Sequence, residues 1–115
     1  MSVKIYHNPR CSKSRETLQL LKDRGIEPEI IEYLKTPPST EELGDILNKL
    51  DMQPRDLMRK KEKEYKDTGM DNANLTRDQL IDGMVKTPKL IERPIVLAND
   101  KAALGRPPEN VLAIL

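Results

Sequence analysis

The chain has 115 residues and a formal net charge of +1, with one cysteine, one histidine, three tyrosines and neither phenylalanine nor tryptophan. This length fits one domain with a modest aliphatic core. The balanced charge and the scarcity of aromatic rings argue against a general binder of nucleic acid or of an anionic membrane. A single cysteine excludes an internal disulfide, and one histidine with one cysteine does not make a structural zinc site.

No apolar run approaches the roughly 18 residues that a membrane-spanning helix needs. The N-terminal residues also lack the apolar stretch of a signal peptide. We therefore expect a cytoplasmic protein that does not depend on a membrane.

The first predicted strand is Val3-Lys4-Ile5-Tyr6, which is short, alternating and β-prone. Asn8-Pro9 indicates a turn, and a helical pattern runs from about Ser12 to a stop at Gly25. Cys11 is thus predicted at the first turn of a helix. Free backbone N–H groups and the helix dipole stabilise an anion there, so the Cys11 thiol is expected to have a lowered pKa.

Two interpretations of Cys11 are open from local sequence. Most free cysteines are small buried hydrophobic residues. Cys11, however, is flanked by Arg10, Ser12 and Lys13, and Arg15 follows one turn later. Because reactive thiols are found in electropositive surroundings at helix starts, we favour a reactive thiol.

A second short strand is predicted over Glu29-Ile30-Ile31-Glu32-Tyr33-Leu34, after a brief turn at residues 25–28. Strand, helix and strand in this order predict a right-handed βαβ unit with parallel strands. The loop that contains Cys11 then lies at the carboxyl end of the first strand, where open α/β sheets place their functional sites.

Residues 39–87 are predicted to be helical. Ser39-Thr40-Glu41-Glu42 and Thr76-Arg77-Asp78-Gln79 are capping boxes, and each precedes apolar residues at helical spacing. Pro54 begins a less regular segment, and residues 59–67 are dense in mixed charge, which is typical of a solvated helix or loop.

The C-terminal part returns to strands. Ile95-Val96-Leu97 is a continuous apolar run that predicts a central strand, and Ala102-Ala103-Leu104 can pair with it through a turn at Ala98-Asn99-Asp100-Lys101. Glu109–Leu115 is predicted as a short helix, with Val111, Leu112 and Leu115 facing inward. The predicted order is therefore βαβ, a helical insert and ββα, which is an α/β class.

The chain resembles the arsenate reductase family of the glutaredoxin-linked ArsC type. The matching segments follow one order along essentially the whole chain: His7-Asn8-Pro9-Arg10-Cys11 with Ser14-Arg15, Tyr33-Leu34 with Pro37-Pro38, Leu57-Met58-Arg59-Lys60 with Tyr65, Asp78-Gln79-Leu80-Ile81, Arg93-Pro94-Ile95-Val96, and Gly105-Arg106-Pro107. The resemblance implies one thioredoxin-like domain over residues 1–115. Its βαβ-ββα core would contain a mainly helical insert at about residues 39–87.

The resemblance also implies the roles of particular residues. Cys11 would be the catalytic nucleophile, and Arg59, Arg93 and Arg106 would bind the substrate oxyanion, for which the planar guanidinium fork is well suited. Sequence alone does not distinguish these three from the other arginines. Pro94 would follow a cis peptide bond and face the cysteine.

Two further residues are predicted to support the thiol. His7 would help to lower the pKa of Cys11, although it could also only shape the loop. Ser14, at the fourth position of Cys-x-x-Ser, could donate a hydrogen bond to the thiolate. It cannot act as a resolving thiol, so any disulfide formed by Cys11 must involve an outside thiol.

The function implied by the resemblance is reduction of arsenate to arsenite through an adduct between the Cys11 thiolate and arsenic. Glutathione, as co-substrate, and glutaredoxin would resolve this adduct. The implied partners are arsenate or a similar oxyanion, glutathione and glutaredoxin, with no bound cofactor and no metal.

Two other functions stay open. The first is a monothiol glutathione-dependent disulfide oxidoreductase, which Cys11-Ser12-Lys13-Ser14 would serve equally well. The second is a non-enzymatic regulator that binds RNA polymerase, as the related Spx proteins do, although the Cys-x-x-Cys switch typical of those proteins is missing. Small residues typically follow the cysteine in the reductases, whereas Lys13 adds charge and bulk beside the predicted anion site.

Overall fold

The computed structural model of the chain describes residues 2–115. Its strands are β1 (Val3–Tyr6), β2 (Glu29–Ile31), β3 (Ile95–Ala98) and β4 (Lys101–Leu104), and its α-helices are α1 (Ser12–Asp23), α2 (Thr40–Leu50), α3 (Lys63–Asp67) and α4 (Arg77–Lys86). Three 3₁₀ helices cover Pro54–Leu57, Pro88–Leu90 and Pro108–Ile114. The chain divides into two compact units, one made of the residues up to Thr36 with Arg93–Leu115, the other of Pro37–Glu92.

The first unit contains a four-stranded sheet with the strand order β2-β1-β3-β4. Strands β1 and β2 are parallel, whereas β3 runs antiparallel to both β1 and β4. The predicted βαβ unit, the central position of β3 and the β3–β4 hairpin are therefore confirmed. The hairpin turn places Asn99 and Asp100 at φ values of 54° and 61°, a left-handed conformation that these two residue types tolerate.

Strand β2 is shorter than predicted. It ends at Ile31, and the predicted strand residues Glu32, Tyr33 and Leu34 belong to a turn instead. The main-chain N–H groups of Lys35 and Thr36 both donate to the Glu32 carbonyl, at 2.9 Å each, and these bonds curl the chain away from the sheet. The strand therefore stops where this local turn begins.

The C-terminal helix is of the 3₁₀ type and differs from the prediction in the residues that it buries. Val111 and Ile114 are buried, Leu115 is half-buried and packs against the same core as predicted, and Leu112 is half-buried. With three residues per turn, positions 111 and 114 share one face. That face packs into a core that also contains Val3, Ile5, Leu21, Val96 and Ala98.

The second unit confirms the helical prediction for residues 39–87. Both predicted capping boxes are formed, at Ser39 with Glu42 and at Thr76 with Gln79. Helix α3, in the charge-dense segment, buries none of its residues. The assignment of the whole chain to a single domain stays a prediction.

A short antiparallel ladder joins residues 57–59 to residues 90–92 within the second unit. The Arg59 N–H donates to the Leu90 carbonyl at 2.7 Å, and the Glu92 N–H donates to the Leu57 carbonyl at 2.8 Å. Met58 and Ile91 are bridge partners between these bonds. This pairing was not predicted, and it places Arg59 and Glu92 on adjacent antiparallel segments.

Within residues 2–115, every helix is too short or too polar to cross a bilayer.

Candidate active site

Cys11 lies at the N-cap of α1, as the sequence predicts. Its backbone is extended, with φ −93° and ψ 124°, and its side chain is half-buried. The Cys11 N–H donates to the Asn8 carbonyl at 3.0 Å, and the Cys11 carbonyl accepts from the Arg15 N–H at 3.0 Å. The first bond closes the turn through Pro9 and Arg10, and the second opens the helix, so the thiol is held at the point where the loop becomes helical.

The surroundings of the Cys11 thiol lower its pKa. Partial burial acts against this, because it disfavours the thiolate and raises the pKa. Hydrogen bonds from the main-chain N–H groups of Ser14 and Lys13, together with a hydrogen bond and the positive charge of Arg93, outweigh the burial. The thiol is therefore adapted to ionise and to act as a nucleophile.

Arg93 and Arg106 both approach this thiol. Arg106 Nη1 lies 4.0 Å from Cys11 Sγ and donates to the Arg93 carbonyl at 3.2 Å, which fixes the orientation of its guanidinium. Both arginines precede cis peptide bonds, at Arg93–Pro94 and Arg106–Pro107. The first cis bond was expected from the resemblance, and the second was not predicted.

His7, Asn8 and Ser14 form a buried hydrogen-bond cluster behind the thiol. Ser14 Oγ lies 2.6 Å from His7 Nδ1 and accepts from the Asn8 N–H at 3.0 Å. The Ser14 hydroxyl is thus used by the loop, and the bond from Ser14 to Cys11 comes from its main-chain N–H instead. This differs from the expected hydroxyl–thiolate bond, because a helix N-terminus already presents free N–H groups to the sulfur.

The side chain of Lys13 lies on the exposed surface of α1. Its Nζ is 3.6 Å from Glu16 Oε2, and the two side chains are 46% and 54% exposed. Its positive charge therefore faces a carboxylate one helical turn away. Lys13 contributes to the lowered pKa of the thiol through a hydrogen bond from its main-chain N–H.

Gly105 supports the site in a way that the sequence did not reveal. Its N–H donates to the Pro94 carbonyl at 2.9 Å, and its own carbonyl accepts from the buried Thr17 hydroxyl at 3.4 Å. A Cβ atom at position 105 would lie 2.7 Å from Pro94 Cγ and would also meet the Thr17 hydroxyl. Only glycine leaves room for Pro94 and for Thr17 of helix α1.

Arg59 belongs to the second unit, where two carboxylates hold its guanidinium. Nη1 donates to Glu92 at 2.7 Å, and Nε donates to Glu62 at 3.2 Å. The Arg59 side chain is only 22% exposed. Burial lowers the pKa of Arg59, but Glu92 and Glu62 reverse this and raise it, and Arg59 in turn helps to lower the pKa of Glu62 below its usual range.

Comparison with known proteins identifies the family. The model of the ArsC family matches residues 6–114. The chain belongs to the ArsC family. The arsenate reductase of Neisseria meningitidis serogroup A is 55% identical over 114 residues, which cover 98% of this chain and 97% of that protein. The uncharacterized protein YfgD of Escherichia coli K12 is 57% identical over 98% of this chain and 96% of that protein.

Solved structures of ArsC proteins confirm the fold. The arsenate reductase from Vibrio cholerae superposes with a TM-score of 0.96 at 53% identity, and the match covers all of this chain and 98% of that chain. The thioredoxin-like α/β fold predicted from the sequence is thus confirmed. The recognition of the family from its ordered segments is confirmed as well.

The structure of this ArsC protein brings together part of the predicted site. Cys11, Arg93 and Arg106 meet in the first unit, with His7 and Ser14 behind the thiol. Arg59 is placed in the second unit, in its own ion-pair network. Within residues 2–115, no group of three or more histidine, cysteine, aspartate or glutamate side chains is arranged to hold a metal ion.

Proposed function

We propose that this protein reduces arsenate to arsenite, with Cys11 as the nucleophile. The observation that supports this most directly is the thiol at the start of α1 with the guanidinium groups of Arg93 and Arg106 beside it. A thiol that only exchanged disulfides would need the lowered pKa but not two arginines. Relatives over half identical that are named arsenate reductase support the choice of oxyanion.

In the first step, the Cys11 thiolate attacks arsenic(V). A sulfur–arsenic bond forms, and one arsenate oxygen leaves as hydroxide or water, so arsenic keeps its oxidation state. Thiolate and arsenate are both negative, and the approach of one to the other is opposed by their charges. Arg93 and Arg106 offset this repulsion and hold the oxygens in place as the bond forms.

The second step needs an external thiol, because Cys11 is the only cysteine of the chain. Glutathione attacks the adduct, and an electron pair passes from the two sulfurs to arsenic, which leaves as arsenite. Overall, arsenate and two thiols give arsenite, one disulfide and water. Glutaredoxin, with a further glutathione, returns Cys11 to the thiol, and no bound cofactor takes part.

Arg59 is proposed as a third ligand of the oxyanion on the basis of the resemblance. In its own unit its charge is balanced by Glu62 and Glu92. The carboxylates hold the planar fork in one orientation but reduce the positive charge that it offers. The role of Arg59 is therefore tested separately below.

The remaining predicted residues are proposed to support the nucleophile. Neutral His7 orients the Ser14 side chain, and Ser14 places its N–H on the sulfur. Pro94 packs on Gly105 and limits the space around the site. None of the three is proposed to exchange a proton with the substrate.

The test is turnover in a coupled assay with arsenate, glutathione, glutaredoxin and an NADPH-dependent recycling system. We expect arsenate-dependent loss of NADPH above a control that contains glutaredoxin but not this protein. Replacement of Cys11 with Ser should abolish it, because the hydroxyl is a far weaker nucleophile that stays protonated at neutral pH. If the wild-type protein shows no arsenate-dependent rate, the proposed function is wrong.

A further inference from the structure

A small cleft lies on the side of the first unit where the Cys11 loop meets the turn after β2. One wall is formed by residues 7–10, and the other by Glu32, Leu34 and Lys35, around a volume of about 280 Å³. The His7 N–H donates to the Ile31 carbonyl at 2.8 Å and holds the two walls together. The volume is near the lower end of about 300–1,000 Å³ for ligand pockets, so the cleft suits a small molecule.

The charges of this cleft are two cations and one anion. Arg10 and Lys35 are exposed, and Lys35 Nζ is 3.8 Å from Glu32 Oε1. With side-chain exposures of 79% and 46%, this Lys35–Glu32 pair contributes little to stability, so both groups can turn to a ligand. Leu34 adds apolar surface, and it is one of two large hydrophobic side chains exposed among residues 2–115.

The buried His7 forms part of one wall of the same cleft. His7 is only 6% exposed, and burial lowers its pKa, so the ring is neutral. Ser14 Oγ accepts from the Asn8 N–H and lies 2.6 Å from His7 Nδ1, so this hydrogen-bond cluster fixes the position of the imidazole ring.

We propose that this cleft is the binding site for glutathione. The inference rests on the proposed function, which requires an external thiol. Glutathione has two carboxylates and one ammonium group, and the cleft offers two cations and one carboxylate. Arg10 and Lys35 bind the carboxylates, Glu32 binds the ammonium group, and Leu34 contacts the aliphatic part.

The position of the cleft suits this role. Arg10 immediately precedes Cys11, and Asn8, in the same wall, accepts the hydrogen bond from the Cys11 N–H. A tripeptide bound here therefore lies against the segment that holds the nucleophile. The cleft is distinct from the two arginines at the thiol, so glutathione and the oxyanion need not compete for the same cations.

The experiment measures binding without turnover. S-methylglutathione keeps both carboxylates and the ammonium group but cannot react, and its affinity is measured by titration calorimetry. Replacing both Arg10 and Lys35 with Glu should weaken this affinity by at least about tenfold, since two charge-assisted contacts become repulsive. Glu32→Lys should weaken it by a smaller factor. Lys101→Glu is the matched control, an exposed cation on β4 that should leave the affinity unchanged.

Each outcome decides the proposal. Equal affinity in the wild type and the double variant, or no binding to the wild type, overturns it. A double variant that loses only its response to glutaredoxin also overturns it, because the cleft would then dock a protein. If S-methylglutathione binds in the cleft but arsenate is not reduced, the glutathione site stands and the proposed function fails.

Discussion

The two charged centres of this protein are built in opposite ways. At Cys11, the surrounding N–H groups and Arg93 face a group that gains negative charge, and Arg106 lies beside it. At Arg59, the surrounding groups are carboxylates, and the central charge is positive. Both centres depend on local hydrogen bonds, yet only at the first do positive groups surround the ionisable group.

This difference separates a centre with positive groups around an ionisable thiol from a network of balanced charges. At the thiol, the guanidinium of Arg106 is oriented by a main-chain oxygen, the carbonyl of Arg93. The guanidinium of Arg59 is oriented by Glu92 and Glu62, which cancel its positive charge while they fix its position. Arg59 can contribute strongly to anion binding only if Glu92 and Glu62 release its guanidinium.

The largest effect is expected when a positive charge beside the Cys11 thiol is removed. Arg93→Gln should raise the pKa of Cys11 toward its usual value, because the largest side-chain contribution to the thiolate is lost. At a pH between the Cys11 pKa of the wild type and that of the variant, the fraction of thiolate is therefore lower in the variant. Arg93 is also one of the proposed oxyanion ligands, so we expect kcat/KM for arsenate to fall by about 100-fold or more in this variant. The pH dependence of thiol alkylation measures the first effect, and the coupled assay measures the second.

Arg15→Gln is the matched control for this prediction. Arg15 is also near the loop, but its guanidinium donates to the Pro9 carbonyl and is exposed. We expect the alkylation profile of Arg15→Gln to follow that of the wild type. An unchanged Cys11 pKa in Arg93→Gln would contradict the account of the thiol given above.

The next largest effect is expected at Gly105, which supports only the thiol centre. Gly105→Ala would force Pro94 and Thr17 to shift, and overpacking of this kind costs about 1–3 kcal/mol of unfolding free energy. Chemical denaturation measures it. Gly44→Ala is the control. Gly44 lies inside α2, where alanine is favoured over glycine, and the added Cβ would lie at an ordinary contact distance of 3.9 Å from Ile81 Cδ1. Equal stability of the two variants would show that position 105 can adjust.

Local sequence was enough to place the nucleophile but not to describe its surroundings. The Asn8-Pro9 turn, the short β-prone run and the helical spacing are neighbours in the chain, and together they predicted Cys11 at a helix start. Gly105 lies 88 residues from Thr17, and nothing in either segment indicates their contact. In the sequence, Gly105 stood out only as part of the matching segment Gly105-Arg106-Pro107.

The surroundings of Arg59 likewise combine a partner that is near in sequence with one that is distant. Glu62 is three residues from Arg59, and such spacing in a helical segment already favours an ion pair. Glu92 is 33 residues away and reaches Arg59 through the ladder between residues 57–59 and 90–92. A bridge of one residue from each segment, Met58 with Ile91, is too short to leave a strand pattern in the sequence. Charge density alone therefore predicted a solvated residue, whereas Arg59 is largely buried.

A change at Glu92 tests the Arg59 centre. Glu92→Gln removes one of the two negative charges on Arg59, so the guanidinium gains net positive charge. If Arg59 binds the oxyanion, KM for arsenate should fall several-fold. The free energy of unfolding should fall by about 1 kcal/mol, because a partly buried ion pair is lost. Glu27→Gln is the control for a change of net charge, since Glu27 is exposed and lies in the first unit. A loss of stability with an unchanged KM would contradict the role of Arg59 as an arsenate ligand.

The smallest effect is expected at His7 and appears only in acid. Burial lowers the pKa of His7, while Glu32 opposes the shift and Lys22 and Arg15 add to it, so the folded state keeps the neutral ring. The unfolded chain takes up a proton near the usual value of 6.5, and the folded chain does so only at lower pH. Below pH 6.5 the unfolded state therefore binds more protons, and the free energy of unfolding decreases as the pH falls. In His7→Asn, an amide can replace the Nδ1 bond to Ser14 without titrating, so this variant should lose stability less steeply than the wild type in that range. Identical slopes for the two proteins in denaturant titrations would show that His7 does not titrate differently on folding, and the assignment of a neutral ring behind Ser14 would then be wrong.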